Sequence, residues 1–479
     1  MSKNTNNTVI LVRPPSSMGA AHAHALQHPM GLCLLAACLR DAGFTPEILD
    51  YEVNEYRAAR FAERIRRARP LAVGITAMTP VIGHAFEMAR IVKRERPEAR
   101  ALLGGAHASI LPLRTLEECP CADAVCTGEG ESKITALCRA AAHGEWDTLE
   151  LPGAILRASD GTLRDFTAAP CEHLDLDALP MPARDLLDFG KYLGASTPGI
   201  PAGKYRSTQL FTSRGCPGKC IFCCSDRMFG SRVRFRGIEH IMREVRECMD
   251  RHGINHFTID DDTFTLRRGR VMEFCGRMAA LPATWDCDTR VDQVDRDMIR
   301  AMARSGCVKI AFGVESGSQR ILDLIKKGVT VEQIRNAFAW TREAGAMSCA
   351  FLMVGSHPEE TARDIRLTWK LIRDIKPDLI SVMIATPYPG SELHELMRRE
   401  NLLREVPWSA YAQSFEASSF SRTKTLSAAQ LKFWQNRLLA GFYLRPGYIA
   451  GRLARMDSAA DLEYWARAGL GFLKHLAGK

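Results

Sequence analysis

Three cysteines lie close together in one turn-rich stretch of the chain. Cys216, Cys220 and Cys223 follow the pattern Cys-x3-Cys-x2-Cys, with glycine and proline residues between them. These residues exclude a regular helix and let the backbone wrap closely around a bound group. Thiolates are soft ligands that select zinc or iron–sulfur clusters. Since a 4Fe–4S cluster takes four thiolates, three of them would leave one iron open to hold a reactant.

Zinc is the alternative ligand for these thiols. A zinc site needs a second pair of ligands at a defined distance, and no Cys-x2-Cys or His-x3-His pair follows nearby in the sequence. Cys224 directly follows Cys223, so we expect its side chain to point elsewhere and to pack as a structural thiol. The sequence therefore favours an iron–sulfur cluster.

The spacing of these cysteines, with its Pro-Gly and aromatic residues, resembles the cluster loop of the radical S-adenosylmethionine (SAM) superfamily. The resemblance implies a 4Fe–4S cluster whose open iron is chelated by the amino and carboxylate groups of SAM. It extends to the segment 312–317, Phe-Gly-Val-Glu-Ser-Gly, which looks like the strand whose glutamate binds SAM. A guanidinium for the SAM carboxylate and a carboxylate for its hydroxyls are chemically matched partners. The residues implied to bind SAM are Phe222, Asp261, Arg290, Gly313, Glu315 and Ser316.

Asp261 and Glu315 also have structural interpretations. Asp261 is one of three successive aspartates, Asp260, Asp261 and Asp262, that follow a predicted strand. These aspartates form either a site wall that faces SAM or substrate, or polar loop and helix-capping residues. The first interpretation rests on the tendency of α/β sites to form at strand ends. Glu315 could instead form a buried salt bridge, because an unpaired buried charge is costly. The sequence singles out no catalytic acid or base.

Six predicted strands, each separated from the next by a helix, surround the cysteine loop and follow it. They are residues 209–212, 256–259, 285–290, 309–317, 349–355 and 379–384. Alternation of this kind gives parallel strands, and six rather than eight predict a partial (β/α)6 barrel of the TIM type with an open side. An open side would admit a large substrate.

The first 150 residues show the same alternation. Apolar strands are predicted at residues 8–12, 47–50, 71–76, 101–107 and 124–126. This pattern predicts an α/β, doubly wound, Rossmann-like parallel sheet, in which ligands bind at the carboxyl ends of the strands. A plain nucleotide-binding sheet is the alternative, but no Gly-x-Gly-x-x-Gly follows the first strand.

The order of turns in this region resembles the cobalamin-binding domain of radical SAM enzymes. The matching pieces are Pro14-Pro15 and residues 29–31, 74–76, 104–107 and 128–130. The Asp-x-His-x-x-Gly motif of many cobalamin proteins is absent, which predicts cobalamin without a protein histidine ligand. As axial ligands, His22, His24, His28 and His107 are therefore disfavoured. The residues implied to contact cobalamin are Ser16, Met18, Gly19, Thr76, Gly104, Gly105, His107, Gly128 and Glu129.

Length and composition agree with several globular domains. The chain has 479 residues, 46% hydrophobic and 25% charged, which suggests roughly two to four domains. We divide it into a cobalamin-binding domain (1–150), a linker (151–200), a radical SAM core (201–420) and a helical C-terminal extension (421–479). The 16 cysteines without a disulfide-like framework or leading signal peptide point to the reducing cytoplasm. The longest apolar runs are too short for a transmembrane segment.

The resemblance implies a cobalamin-dependent radical SAM enzyme. Reductive cleavage of SAM would give a 5′-deoxyadenosyl radical that abstracts hydrogen from an unactivated carbon, and methylcobalamin would methylate that carbon. The expected substrate is a secondary metabolite, lipid or tetrapyrrole, and the expected electron donor is a flavodoxin or ferredoxin. The net charge of +9 is spread along the chain and does not argue for nucleic acid.

Three other functions use parts of the same pattern. The nearest is cyclisation, ring contraction or oxidation with the same cofactors and no methyl transfer. A cobalamin sensor would need neither the cluster loop nor Glu315. A transfer RNA methylthiotransferase would need a nucleic-acid-binding C-terminal barrel, whereas residues 421–479 are predicted to be helical.

Overall fold

The structure is a computed structural model of the chain. It describes residues 7–16, 27–169, 173–192, 205–412, 420–454, 456 and 458–476. These residues form a seven-stranded sheet, a two-stranded ribbon, a six-stranded sheet and the helices that cover them.

The first sheet has the strand order β2-β1-β3-β4-β5-β6-β7, in which β1 to β5 are parallel. Its strands are β1 (Thr8–Arg13), β2 (Thr45–Asp50), β3 (Ala72–Thr76), β4 (Arg100–Gly104), β5 (Ala124–Cys126), β6 (Ala154–Arg157) and β7 (Leu163–Asp165). Its helices are α1 (Met30–Asp41), α2 (Ala58–Ala68), α3 (Ile82–Glu95), α4 (Ala106–Ile110), α5 (Pro112–Glu118) and α6 (Glu131–His143).

Both faces of this sheet are covered by helices. Val9 and Leu11 of β1 pack against α1 and α6, whereas Ile10 and Val12 pack against α2 and α3. A strand that is apolar at every position needs such two-sided burial, as parallel sheets do. The predicted doubly wound sheet is therefore confirmed.

The first sheet continues past residue 150, where the sequence analysis ends the first domain. β6 and β7 form an antiparallel hairpin that pairs with β5 through Ala154, Ile155 and Leu156. Residues 154–165 thus belong to the first sheet and not to a linker. Strands of four and three residues carry too little periodicity to be recognised from sequence.

The second sheet has the strand order β15-β14-β13-β12-β11-β8, and all its strands are parallel. These strands are β8 (Ser207–Leu210), β11 (His256–Ile259), β12 (Thr284–Thr289), β13 (Cys307–Glu315), β14 (Met347–Val354) and β15 (Leu379–Ile384), and the ribbon is β9 (Ser213–Arg214) and β10 (Arg234–Phe235). The helices are α7 (Ser225–Phe229), α8 (Ile238–His252), α9 (Arg268–Met278), α10 (Arg296–Arg304), α11 (Gln319–Leu324), α12 (Val331–Glu343), α13 (Ala362–Ile375) and α14 (Glu392–Arg399). The predicted six-stranded partial barrel is therefore confirmed.

The two faces of this sheet differ in polarity. Phe257, Trp285 and Phe312 lie in the large apolar core beneath the surrounding helices. Because side chains alternate along a strand, their neighbours Thr258, Asp286 and others point to the inner face of the curved sheet, the barrel lumen. The lumen face of β11 and β12 is thus polar.

Among the described residues, three helices follow the barrel: α15 (Ala428–Tyr443), α16 (Pro446–Leu453) and α17 (Ala459–Leu476). The side chains of Tyr443 and Trp465 pack on Ala311, Cys349 and Leu379 of the second sheet. Across the described residues, no helix combines the length and apolar character needed to cross a membrane.

The segment 173–192 joins the two sheets. Its Arg184 is buried, donates to the Gln209 carbonyl oxygen at 2.9 Å and pairs with buried Glu244 of α8 at 2.6 Å. Tyr192 donates through its hydroxyl to Asp50 at the end of β2. The segment therefore contacts both domains through buried polar bonds.

Candidate functional site

The cysteine loop begins directly after β9, at the carboxyl end of the first barrel strand. Gly215 has φ +90°, and a Cβ there would lie 2.7 Å from the Arg232 carbonyl oxygen. Only glycine fits both the backbone angle and this close approach. The sharp turn at Gly215 separates the ribbon from the three cysteines.

Two of the three thiols lie close to Gly218, where an added Cβ would lie 3.3 Å from Cys216 Sγ and 3.9 Å from Cys220 Sγ. Backbone N–H groups donate to two of the three thiols, Gly218 to Cys216 and Ser225 to Cys223, each at 3.4 Å. The Arg290 guanidinium lies 4.0 Å from Cys220 Sγ. Burial raises the pKa of the Cys220 thiol, while the charges of nearby Lys327 and Arg290 oppose this. These donors and charges fit thiolate ligands of a cluster.

No group of three or more His, Cys, Asp or Glu side chains in the described part of the chain surrounds a single-ion position. A zinc site requires such a group. The thiolates of a 4Fe–4S cluster each bind a different iron and stand apart. Cys224 Sγ lies 3.8 Å from the Pro389 carbonyl oxygen, in keeping with a packed thiol.

Glu315 and Lys327 form a buried ion pair beside the loop. Lys327 Nζ donates to Glu315 Oε1 at 2.8 Å, and both side chains are less than one-tenth exposed. A Cβ at Gly313 would lie 2.6 Å from Lys327 Nζ, so glycine makes room for the pair. The structural interpretation of Glu315 is thus realised, and a contact between Glu315 and SAM stays a prediction.

Arg290 bridges the loop and the next strands. It donates to both carboxylate oxygens of Asp292, at 2.9 and 3.0 Å, and to the Lys327 carbonyl oxygen at 2.6 Å. Burial lowers the pKa of Arg290, but hydrogen bonding to Asp292 outweighs this and raises it. Arg290 therefore stays charged next to the cysteine loop, where the predicted SAM carboxylate would lie.

Asp261 is fully engaged within the protein. Its two oxygens accept hydrogen bonds from the backbone and hydroxyl groups of Thr212 and Ser213. A carboxylate with four such donors has no acceptor site left. The geometry does not favour the predicted SAM contact. It makes Asp261 the residue that fixes the chain just before the cysteine loop.

Two other predicted SAM residues lie close to the loop or to its strands. Phe222 is half-buried and packs on the barrel core. Ser316 is fully buried, with its hydroxyl 3.3 Å from Thr368 Oγ1 and accepting from the Ser318 N–H at 3.2 Å. Ser316 therefore holds the turn after β13, and its predicted contact with SAM stays a prediction.

A cavity of about 370 Å³ lies between the carboxyl ends of β3 to β5 and the cysteine loop. Its volume falls within the roughly 300–1,000 Å³ typical of small-molecule sites. Predicted cobalamin contacts in its wall are Thr76, Gly104, Gly105, Gly128 and Glu129. A Cβ at Gly104 would meet nothing within 4 Å, so the absence of a side chain there leaves open space. The glycine-lined wall fits close approach by a flat macrocycle.

Other predicted cobalamin residues lie elsewhere. His107 is fully buried outside this wall, where its Nδ1 lies 3.2 Å from Thr79 Oγ1 and its ring packs on Trp408. The geometry thus does not support a cobalamin contact for His107. Ser16 donates to Glu52 at 3.0 Å and is absent from the cavity wall. Met18 and Gly19, like His22 and His24, lie outside the described residues.

The barrel also contributes to this cavity. Phe211, Arg214 and Asp260 line it from the side of the cysteine loop. The sequence analysis missed Phe211 and Arg214 as site residues. Arg214 lies two residues before Cys216, a position that could have identified it as part of the loop.

Arg214 belongs to a network of four charges, which we call the Arg214 network, comprising Arg214, Arg234, Glu129 and Glu131. Arg214 pairs with both glutamates, and Arg234 pairs with Glu129 at 2.8 and 3.0 Å. All four side chains are at most 11% exposed. Burial raises the pKa of Glu129, but hydrogen bonds from Arg234 and Arg214 outweigh it and lower that pKa. The network joins the cavity turn to the cysteine loop.

Comparison with family models assigns both domains. The model described as B12 binding domain matches residues 17–138, and the model of the Radical SAM superfamily matches residues 210–372. The first match includes the residues of the cavity wall from Gln27 to Ile134. The second spans the cysteine loop and most of the barrel.

Curated relatives cover most of the chain. An uncharacterized methyltransferase of Pyrococcus horikoshii is 31% identical over 443 residues, which are 91% of this chain and 93% of that protein. An anaerobic magnesium-protoporphyrin IX monomethyl ester cyclase of Rubrivivax gelatinosus is 30% identical over 394 residues, or 81% of this chain and 69% of that protein.

A solved structure shares the fold. The radical SAM methyltransferase TsrM from Kitasatospora setae, with cobalamin and a 4Fe–4S cluster bound, aligns with a TM-score of 0.69. The alignment covers 92% of this chain and 89% of that chain, at 18% sequence identity. Two domains in the same arrangement thus recur in a protein whose sequence has diverged widely.

Proposed function

Because this chain belongs to the cobalamin-dependent radical SAM enzymes, we propose that it methylates an unactivated carbon of a small molecule. Its cofactors are a 4Fe–4S cluster, SAM and cobalamin. When bound, these groups supply reductive cleavage of SAM and transfer of a methyl group, while the protein binds and orients them and excludes water.

The cavity wall carries this proposal. It combines Gly104 and Gly128 of the first domain with Phe211, Arg214 and Asp260 of the barrel. Phe211 and Arg214 lie just before the cysteine loop in sequence, so a group held in the cavity adjoins the loop. A methyl donor and a hydrogen-abstracting centre must both reach one substrate carbon, and adjoining sites satisfy that requirement.

The residues of the loop and of β13 have distinct tasks in this proposal. Cys216, Cys220 and Cys223 hold the cluster, with N–H donors already directed at two of the sulfurs. Arg290 offers a guanidinium for the SAM carboxylate, and the Glu315–Lys327 pair offers a carboxylate oxygen and an ammonium beside it. Opposite charges in a partly buried site bind the zwitterionic end of SAM without leaving a charge unpaired.

Isotope transfer tests the proposed reaction. Anaerobically reconstituted protein would be incubated with a chemical reductant, SAM deuterated in its methyl group and a small-molecule extract from a strain lacking the gene. We expect a product that carries the deuterated methyl group and is absent when Cys216→Ala protein is used. Mass spectrometry of the extract measures this product.

Cyclisation without methyl transfer is the second candidate, because a relative of 30% identity is named a cyclase. The same incubation separates the two. Formation of 5′-deoxyadenosine that requires the extract, with no label in any product, would favour cyclisation or oxidation and contradict methylation.

The cobalamin cavity gives a prediction of its own. The substitution Gly104→Leu would place a side chain in open space at the cavity wall, so we expect cobalamin affinity to fall by about tenfold or more. The matched control is Gly276→Leu at an exposed position of α9, where a Cβ also meets nothing within 4 Å. Absorbance titration with cobalamin measures both affinities. Equal affinities would mean that cobalamin does not contact Gly104.

A further inference from the structure

The lumen face of β11 and β12 carries a ladder of polar side chains. His256 and Thr258 of β11 are followed at the same spacing by Asp260 just after the strand, and Thr284, Asp286 and Asp288 alternate along β12. The parallel register places Thr258 beside Asp286 and Ile259 beside Cys287, so Asp260 and Asp288 are the next neighbours. The ladder therefore ends in two adjacent carboxyl groups at the carboxyl ends of these strands.

The lower part of the ladder is satisfied within the protein. Asp286 accepts from His256 Nε2 at 2.7 Å and from Thr258 Oγ1 at 3.1 Å, and Lys309 Nζ lies 3.4 Å from its other oxygen. Burial raises the pKa of Asp286, but Lys309 and the hydrogen bonds outweigh this and lower it. The buried Asp286 carboxylate is thus stabilised in its charged form by His256, Thr258 and Lys309.

The upper pair differs. In the described part of the chain, neither the Asp260 nor the Asp288 carboxyl group has a hydrogen-bond or ion-pair partner, and both side chains are half-buried. Asp260 also lines the cavity between the two domains. Asp260 therefore borders the cobalamin cavity on its barrel side, and Asp288 is its neighbour in the ladder.

Their surroundings penalise the negative charge. Burial raises the pKa of Asp260 to about 6, with Asp261, Asp286 and Asp262 adding to the effect. Burial also raises the pKa of Asp288 to about 7, to which Asp286 and Asp260 add while Lys309 opposes them. Adjacent carboxylates of this kind repel each other, and a bound cation removes the penalty.

The nearby cations of the described residues are already paired. Lys309 pairs with Asp286, Arg290 with Asp292 and Lys327 with Glu315. No third carboxylate, histidine or cysteine completes a metal-ion site with the two aspartates in the described residues. An organic cation from outside the chain is the partner that this pair lacks.

The opposite side of the lumen is mostly apolar. Phe351 and Met353 of β14 and Met383 of β15 are half-exposed on the lumen face, beside Gly313 of β13, and Ser381 of β15 is a polar half-exposed residue next to Phe351. The aromatic ring of Phe351 and the thioethers of the two methionines can pack closely against an apolar part of a bound molecule. The lumen thus offers carboxyl groups on one side and an apolar wall on the other.

We propose that Asp260 and Asp288 determine substrate specificity by binding a protonated nitrogen of the substrate, an amine whose apolar body lies along Phe351, Met353 and Met383. This inference rests on the proposed function, because it places the substrate between the two cofactor sites. It adds the chemical class of the substrate to the reaction proposed above.

Matched probes test the inference by calorimetry on anaerobic, cofactor-loaded protein. Phenethylamine and 2-phenylethanol share an aromatic body and differ in the amine. We expect the amine to bind about tenfold more tightly than the alcohol, since an ionic hydrogen bond is the stronger. The preference should disappear in Asp260→Asn/Asp288→Asn protein and persist in Asp297→Asn, which alters an exposed carboxylate of α10.

Single variants Asp260→Asn and Asp288→Asn keep the test usable if the double variant does not fold, and each should lower the preference. Equal binding of both probes to the wild type, absence of saturable amine binding at millimolar concentration, or an amine preference that survives both substitutions would overturn the inference. So would saturable Mn²⁺ binding that needs both aspartates.

The labelled-methyl assay reports the proposed function separately. An amine preference that depends on the two aspartates supports this inference even where no methyl group is transferred. Methyl transfer to a product without a basic nitrogen overturns the inference and leaves the proposed function intact.

Discussion

Replacing Cys216 by alanine is expected to abolish formation of 5′-deoxyadenosine while leaving cobalamin binding unchanged. The cluster loop offers three thiols, and the loss of one removes the only protein ligand to an iron atom. Cys216 is absent from the cavity wall, so the cobalamin site should keep its shape. Iron content, the brown absorbance of the reconstituted protein and chromatography of the SAM cleavage products measure the effect.

Cys224→Ala is the matched control for this prediction. Its thiol is adjacent in sequence to Cys223 but lies against the Pro389 carbonyl oxygen. We expect normal iron content and normal SAM cleavage in this variant. Cleavage of SAM by Cys216→Ala protein, or loss of the cluster in Cys224→Ala alone, would show that a different set of thiols holds the cluster.

Much of the barrel was predictable from local sequence. The strands His256–Ile259 and Leu379–Ile384 have the predicted bounds, because buried parallel strands are short apolar runs bordered by polar turns. The cluster loop was predictable for a related reason, since its chemistry lies within eleven consecutive residues. Local patterns thus identified the elements and the loop they position.

The partners of the site residues were not predictable in this way. Glu315 pairs with Lys327 from the far side of α11, and Asp261, which follows β11, bonds to Thr212 and Ser213 near β9. Such pairs depend on how distant elements pack, which leaves no periodic signal in the sequence. The ribbon of β9 and β10 has only two residues in each strand and was missed for the same reason.

Breaking the Arg214 network should affect both cofactor sites. Arg214 and Arg234 lie directly opposite each other in the ribbon, where like charges repel. Glu129 and Glu131 from the cavity turn neutralise them. Arg214→Met would leave Glu131 without its cationic partner, and removing one member of a buried pair costs about 3–5 kcal/mol of unfolding free energy.

We therefore expect Arg214→Met to lose cobalamin affinity as well as cluster iron, whereas Cys216→Ala loses iron alone. Chemical denaturation, iron analysis and cobalamin titration measure the three effects. The double variant Arg214→Met/Glu131→Gln should recover part of the stability, because it removes the unpaired charge.

The lowered pKa of Glu129 also predicts a pH dependence of stability. A carboxyl group whose pKa is lower in the folded protein stabilises the fold above the ordinary glutamate pKa of 4.5. The stability of the wild type should therefore fall as the pH drops through the lowered pKa of Glu129, and the stability of Arg214→Met should fall less.

The exposed pair Arg277–Glu239 provides the control for this network, with side chains 47% and 67% exposed. Arg277→Met should cost no more than about 1 kcal/mol, because solvent screens such pairs. If Arg214→Met were as mild as Arg277→Met, the four charges would not hold the domains together. If it lost stability but kept both cofactors, the network would stabilise the fold without positioning the two sites. Only the combined loss would show that the cluster loop takes its functional position from the cobalamin domain.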